Sequence, residues 1–121
     1  TGVYKWMPAL PAVIGNEVTG YVAAIGPGVS DFNVGQPVLV FGTGGGRHAE
    51  FTVASTDIIT ALPTNVDLDD AVCIPNYAIA WCLLKEVAPG GGDRIVYING
   101  AAGGVGSAVV DLARDLGMTT Q

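Results

Sequence analysis

The sequence predicts a mixed α and β fold in two parts: a partial, small β-barrel over residues 1–66 and the opening of a parallel α/β domain over 67–121. Three observations point there. Up to residue 61, short β-branched segments are separated by Gly/Pro turns, the pattern of a small all-β unit. After Asp67 the period changes and a long apolar stretch begins. Finally RIVYIN, a continuous apolar run, is followed by NGAAGGVG and then by a helical period.

Each element follows from local chemistry. Residues 1–17 read as irregular, with Pro8 and Pro11 flanking Ala9-Leu10. EVTGYVAAIG, 17–26, alternates loosely and predicts a strand, and GPG at 26–28 predicts a turn. FNVGQPVLVF, 32–41, predicts a turn at Gly35-Gln36 and then a short strand. Pro37 donates no ladder hydrogen bond, so it opens that strand or lies on an edge. GTGGG, 42–46, is a loop; RHAEFTVAS, 47–55, alternates as a strand does, and another short strand covers 58–61. Asp67 is placed to cap a helix, with Asp70 three residues on as an approximate capping box. The apolar stretch from Leu68 to Val87 reads as helix, interrupted or kinked at Pro75. RIVYIN, 94–99, suits a strand buried on both faces of a parallel sheet. Gly103 to Leu116 reads as a helix with Val105, Val109, Leu112 and Leu116 on one face and Gly117 as its C-cap. MTTQ, 118–121, begins a further strand, so strand, glycine loop and helix start a βαβ unit.

The glycine loop carries the chemistry. A phosphate-binding turn leaves its strand tightly, brings backbone close to a pyrophosphate without a Cβ between them, and opens a helix whose free N–H groups and dipole favour an anion. Aligned on its last two glycines, the G-x-G-x-x-G spacing falls on Ala101, Gly103 and Gly106, with alanine in the first place and Gly100 just ahead. The candidate cofactor-binding residues are Ala101, Ala102, Gly103, Gly104, Val105 and Gly106. An ordinary glycine-rich turn satisfies the same spacing, and both readings stand at this point. The ribose-reading residue that separates NAD from NADP belongs about 20 residues further on.

Composition narrows the function. Half of the 121 residues are apolar, enough for a core, and 18 glycines and 7 prolines fit many turns. The net charge of −6, with five scattered cationic residues, argues against nucleic-acid and anionic-membrane partners. No apolar run is long enough to span a bilayer and no signal peptide is recognisable. Cys73 and Cys82 lie in an apolar segment and read as buried thiols of a reducing compartment, which leads us to expect a cytoplasmic protein. A single histidine, His48, makes a His/Cys metal cluster improbable, and no Ser/His/Asp or Cys/His set is evident. Asp67, Asp69 and Asp70 suit a helix N-terminus rather than catalysis.

The succession LPAVIGNEVTGYVAAIGPGVSDFNVGQPVLVF, GGGRHAEFTVAS, LPTNVDLDDAVCIP and VYINGAAGGVGSAVVDLARDLG resembles the medium-chain dehydrogenase/reductase superfamily, and within it the zinc-free quinone oxidoreductase (zeta-crystallin-like) branch. The resemblance covers nearly the whole chain. It implies a GroES-like β-barrel, here partial, leading into the first strand, glycine loop and helix of a Rossmann domain. It implies NADPH (or NADH) as cofactor and a small quinone or enone as substrate. Zinc-dependent relatives have Gly-His-Glu where this chain has Gly15-Asn16-Glu17, and asparagine is a poor zinc ligand. The four cysteines of their structural zinc loop have no counterpart between Phe41 and Arg47. We therefore expect no metal. Glu17 keeps a family position and is expected to hold nearby donors; His48 is expected to be a surface residue at a strand start. The family's substrate-facing Tyr/Asn segment falls at or just before Thr1, so Tyr4 joins Asn76 and Tyr77 as candidates for the substrate cleft, with core or rim packing the alternative for Asn76 and Tyr77. The family's threonine before Ala-Tyr is Ile79 here, ahead of Ala80-Trp81. Relatives are much longer, so the resemblance implies a chain truncated at both ends, with little activity alone and uncovered sheet edges that favour homo-oligomers. The alternative is a non-catalytic module for self-assembly or partner binding.

Overall fold

The computed structural model describes residues 9–87, 89 and 92–121. The chain divides into two compact units, Thr1–Val72 and Cys73–Gln121.

The first unit is built on an antiparallel sheet of three strands in the order β1 (Glu17–Tyr21), β2 (Pro37–Phe41) and β3 (Ile59–Ala61). Glu17 pairs with Phe41 and Tyr21 with Pro37, while Val38 pairs with Ala61. Pro37 opens the central strand as expected, and its carbonyl accepts from Leu62 N–H at 2.9 Å. Val38, Leu39 and Val40 are all buried, and since successive side chains alternate, both faces of the central strand are covered here. Leu39 packs with Leu62 and Ala71, flanked by Val66 and Leu68. The β1–β2 connection turns at Gly35, with φ at +82°. Helix α1 (Leu68–Ala71) is short and capped as the sequence predicts: the Asp67 side chain accepts from the N–H groups of Asp69 and Asp70. Thr19 Oγ1 donates to Leu68 O at 2.9 Å, tying α1 to β1.

The sheet is open, and no closed barrel forms among the described residues, where a partial one was expected. Two strand expectations are corrected in this unit. The segment 47–55 is not a strand, despite its alternation. The Arg47 guanidinium donates from one nitrogen to Thr52 Oγ1 (2.9 Å) and Val53 O (3.1 Å), curling the segment back on itself. A strand needs a ladder partner, and here the Arg47 side chain takes the Val53 carbonyl as acceptor while the Arg47 and His48 N–H groups donate to Ile14 O. Phe51 and Val53 are left 72% and 95% exposed. The strand predicted for 17–26 also stops early, at Tyr21, although Val22 still donates to Gln36 O.

The second unit begins with α2 (Ile74–Cys82), which runs into a π-helical turn at Leu83–Val87. The predicted interruption is at Pro75: α1 has ended, and the proline sits in the first turn of α2, where its missing N–H leaves no bond unmade. Strand β4 (Ile95–Val96), helix α3 (Gly104–Asp115) and strand β5 (Thr119–Thr120) complete a β-α-β unit, with β4 and β5 parallel and Ile95 beside Thr119. Ala80, Leu84, Ala108, Val109, Ala113 and Met118 form the core, with Val96, Ile98, Val105, Leu112 and Leu116 packed against it. Helix α3 ends in a Schellman turn. Gly117, at φ +73°, donates to Arg114 O, and Met118 donates to Ala113 O. Two expectations are corrected. The 94–99 run is shorter as a strand and covered on one face only, leaving Ile95 65% and Tyr97 82% exposed. Cys73 and Cys82 are free and exposed rather than buried. The apolar residues around them in α2 turn other faces, led by Ala80, inward.

Candidate functional site

The loop between β4 and α3 is shaped by its glycines for separate reasons. Gly100 adopts φ +81°, which a side chain disfavours, and its carbonyl accepts from Gly103 N–H at 3.0 Å. A Cβ on Gly106 would collide with the Gly100 carbonyl oxygen and lie 2.9 Å from Ala101 Cα, so the first turn of α3 can seat only as glycine. A Cβ on Gly104 would lie 2.8 Å from Asn76 Nδ2. Gly103 differs. Its backbone is extended, at φ −85° and ψ 167°, and a Cβ there would meet only Gly100 O, at an ordinary 3.4 Å. Nothing among the described residues requires glycine at this position.

Helix α3 starts without a side-chain cap and without an acidic residue in its first turn. Ser107 N–H makes the first helical bond, to Gly103 O at 2.8 Å, and Ser107 Oγ donates to Gly104 O. The N–H groups of Gly104, Val105 and Gly106 make no hydrogen bond among the described residues. The macrodipole adds positive potential at the same place. The arrangement can hold an anion, and the open face of Gly103 lets one approach the backbone. Beside it lies a cavity of about 480 Å³, within the range of small-molecule sites, lined mainly by apolar groups of Leu83, Leu84, Val96, Ile98 and Val109 together with the glycine loop.

Of the residues singled out from sequence, Ala101, Ala102, Gly103, Gly104, Val105 and Gly106 form this one turn, with Val105 turning its side chain to the core. Asn76 lies against Gly104. Tyr77 goes elsewhere: its hydroxyl donates to Asp111 Oδ2 at 2.8 Å. That hydrogen bond, with the carboxylate's charge, raises the phenol above its ordinary value of 10.0. Tyr4 lies outside the described residues. Sequence reasoning had no means of finding the Tyr77–Asp111 bond, which joins residues 34 apart. It also missed the burial of Arg47, which is 8% exposed, with Nε making no hydrogen bond among the described residues.

In the first unit, Asn16 closes the 42–46 loop. Its carbonyl accepts from Gly42 N–H and its Oδ1 from Gly45 N–H. His48 is exposed and packs over Gly15, but begins no strand. The Glu17 carboxylate holds no donor among the described residues, contrary to expectation. Among these residues no three His, Cys, Asp or Glu side chains are grouped to hold a metal ion, and no helix is long and apolar enough to cross a membrane.

Comparison with known proteins gives a consistent result. Residues 1–64 match the alcohol dehydrogenase GroES-like domain. The quinone oxidoreductase of Sus scrofa is 36% identical over 120 residues, which are 98% of this chain and 36% of that protein. A mycobacterial protein, Rv1454c, solved in complex with NADPH, superposes with a TM-score of 0.81 at 34% identity over 93% of this chain and 36% of that one. The apo JamJ enoyl reductase superposes with a TM-score of 0.77 at 29% identity, covering 91% of this chain and 33% of its own. The chain thus spans about a third of the length of these relatives.

Proposed function

Because the chain belongs to the medium-chain dehydrogenase/reductase superfamily, through its alcohol dehydrogenase GroES-like domain, we propose that it serves an NAD(P)H-dependent reduction of a quinone or activated alkene. In this reading, residues 100–106 hold the dinucleotide's pyrophosphate at the start of a Rossmann domain. The N–H groups of Gly104, Val105 and Gly106 point at the phosphate oxygens, and Gly103 leaves room for them. The observation that carries the reading is Gly103, a glycine that neither backbone conformation nor packing demands. The cofactor supplies the hydride; this part of the protein binds, orients and excludes water. NADPH is preferred over NADH because Rv1454c was solved with it. No zinc enters the reading, since Asn16 spends its side chain on Gly45 N–H.

Calorimetric titration with NADPH, with NADH for comparison, tests the proposal. The expected result is saturable binding that Gly103→Asp abolishes by placing a carboxylate where the phosphate sits. Absence of binding at millimolar NADPH overturns it. A second reading, a non-catalytic assembly module, is favoured by the exposure of Ile95 in β4 and of Tyr97 just beyond it. Sedimentation of the chain separates the two: self-association with no NADPH binding supports the module. Self-association with binding supports a cofactor-binding homo-oligomer.

A further inference from the structure

We infer that Asn76 is a second, side-chain donor to the bound dinucleotide, an assignment that rests on the cofactor reading above. The starting point is Gly104. Its backbone needs no glycine, and the group that would meet its Cβ is the Asn76 carboxamide, with Nδ2 at 2.8 Å, Cγ at 3.2 Å and Oδ1 at 3.4 Å. Gly104 therefore makes room for an amide pressed against the first residue of α3. A carboxamide can make several hydrogen bonds, yet this one makes none among the described residues, although it is partly buried. The carboxamide atoms are open to solvent, Arg47 Nε being the buried unpartnered side-chain atom among the described residues, so this amide is free to meet a ligand; placed beside unpaired helix N–H groups, it extends the same array of donors.

Its position is fixed rather than incidental. Asn76 N–H donates to Cys73 O in the first turn of α2. The next residue, Tyr77, is bonded to Asp111, seven residues along α3 from Gly104, or about 10 Å of helix. Two successive side chains of α2 thus grip α3 at separate heights, and the Tyr77 bond holds Asn76 beside Gly104. Tyr77 acts here as a positioning residue; Asn76 offers the N–H.

Titration of the chain with NADPH, paired with thermal melting, tests the assignment. Asn76→Ala is expected to weaken binding about tenfold, and Asn76→Asp about a hundredfold at neutral pH, since it exchanges a donor for a charge that repels phosphate. Melting temperatures are expected to stay at the wild-type value, and Ala78→Ser, on the same helix, to leave affinity unchanged. Wild-type binding matched by both Asn76 variants overturns the inference and leaves the cofactor site standing. Weakening that only accompanies a fall in melting temperature makes Asn76 a packing residue and also overturns it. No binding by the wild type overturns the cofactor reading and this inference with it.

Discussion

Two loops of this chain hold four glycines each and use them for opposite ends. In 42–46, the three successive glycines Gly44, Gly45 and Gly46 lie at positive φ, with open space beside Gly44 and Gly46, so conformation accounts for them. That loop spends three of its donors at home: Gly42 and Gly45 donate to Asn16, and Gly46 donates to Val13 O. In 99–106, only Gly100 has positive φ, Gly104 and Gly106 answer to packing, and the amides that open α3 are left unspent. Glycine content is thus no sign of a ligand site. What carries the cofactor proposal for 99–106 is a run of unpaired N–H groups beside a glycine that nothing among the described residues demands.

Substitutions can break or sharpen this contrast. The largest effect is expected from Gly106→Ala, which drives a methyl into the Gly100 carbonyl and should destabilise the second unit by about 3 kcal/mol. Urea unfolding measures it, and an unchanged midpoint would refute the close approach. Gly44→Ala, at φ +112°, is expected to cost about 1–2 kcal/mol through backbone strain alone, with NADPH affinity unaltered. Gly103→Ala should leave stability within about 0.5 kcal/mol of wild type, or slightly above it, because its backbone accepts alanine. Its cost should fall on NADPH binding, roughly tenfold, the order of one contact to a charged group. If Gly103→Ala destabilises as Gly106→Ala does, the distinction between the two glycines collapses.

The smallest effect concerns pH. Tyr77 is bonded through its protonated hydroxyl, and its pKa in the fold is raised chiefly by that bond to Asp111. The stability it adds is full below 10.0, the unfolded value, and is lost as pH rises through the higher folded one. Tyr77→Phe should therefore flatten the alkaline limb of a melting-temperature profile while leaving its shape at neutral pH. An identical alkaline slope in the two proteins would remove this bond as a link between α2 and α3.

Local chemistry made much of this legible. Asp67 as a cap, Pro37 as a strand opener, Pro75 as an interruption and Gly117 after a helix end each act through their own backbone or nearest neighbours, and each is found where expected. The glycine turn could be read for the same reason, since its spacing and its flanking elements lie within twenty residues. The failures share another cause. Residues 47–55 alternate as a strand, but a strand is a relation between two segments, and the Arg47 guanidinium offered nearer partners. RIVYIN reads as doubly covered, yet coverage depends on what packs on each face, and Tyr97 faces outward. Asn76 could be suspected from sequence but not placed, because the observation that places it is a missing methyl 28 residues away, on Gly104.

The end of α3 carries one more implication. Met118 is at once the residue that closes the Schellman turn, by donating to Ala113 O, and a buried member of the core. The pairing of Thr119 with Ile95 follows immediately, without slack. Side chains alternate along a strand, so one residue added or removed between Gly117 and Thr119 would exchange the inner and outer faces of the returning strand. Over evolutionary time this junction should accept changes of letter and refuse changes of count: it is where the chain keeps phase.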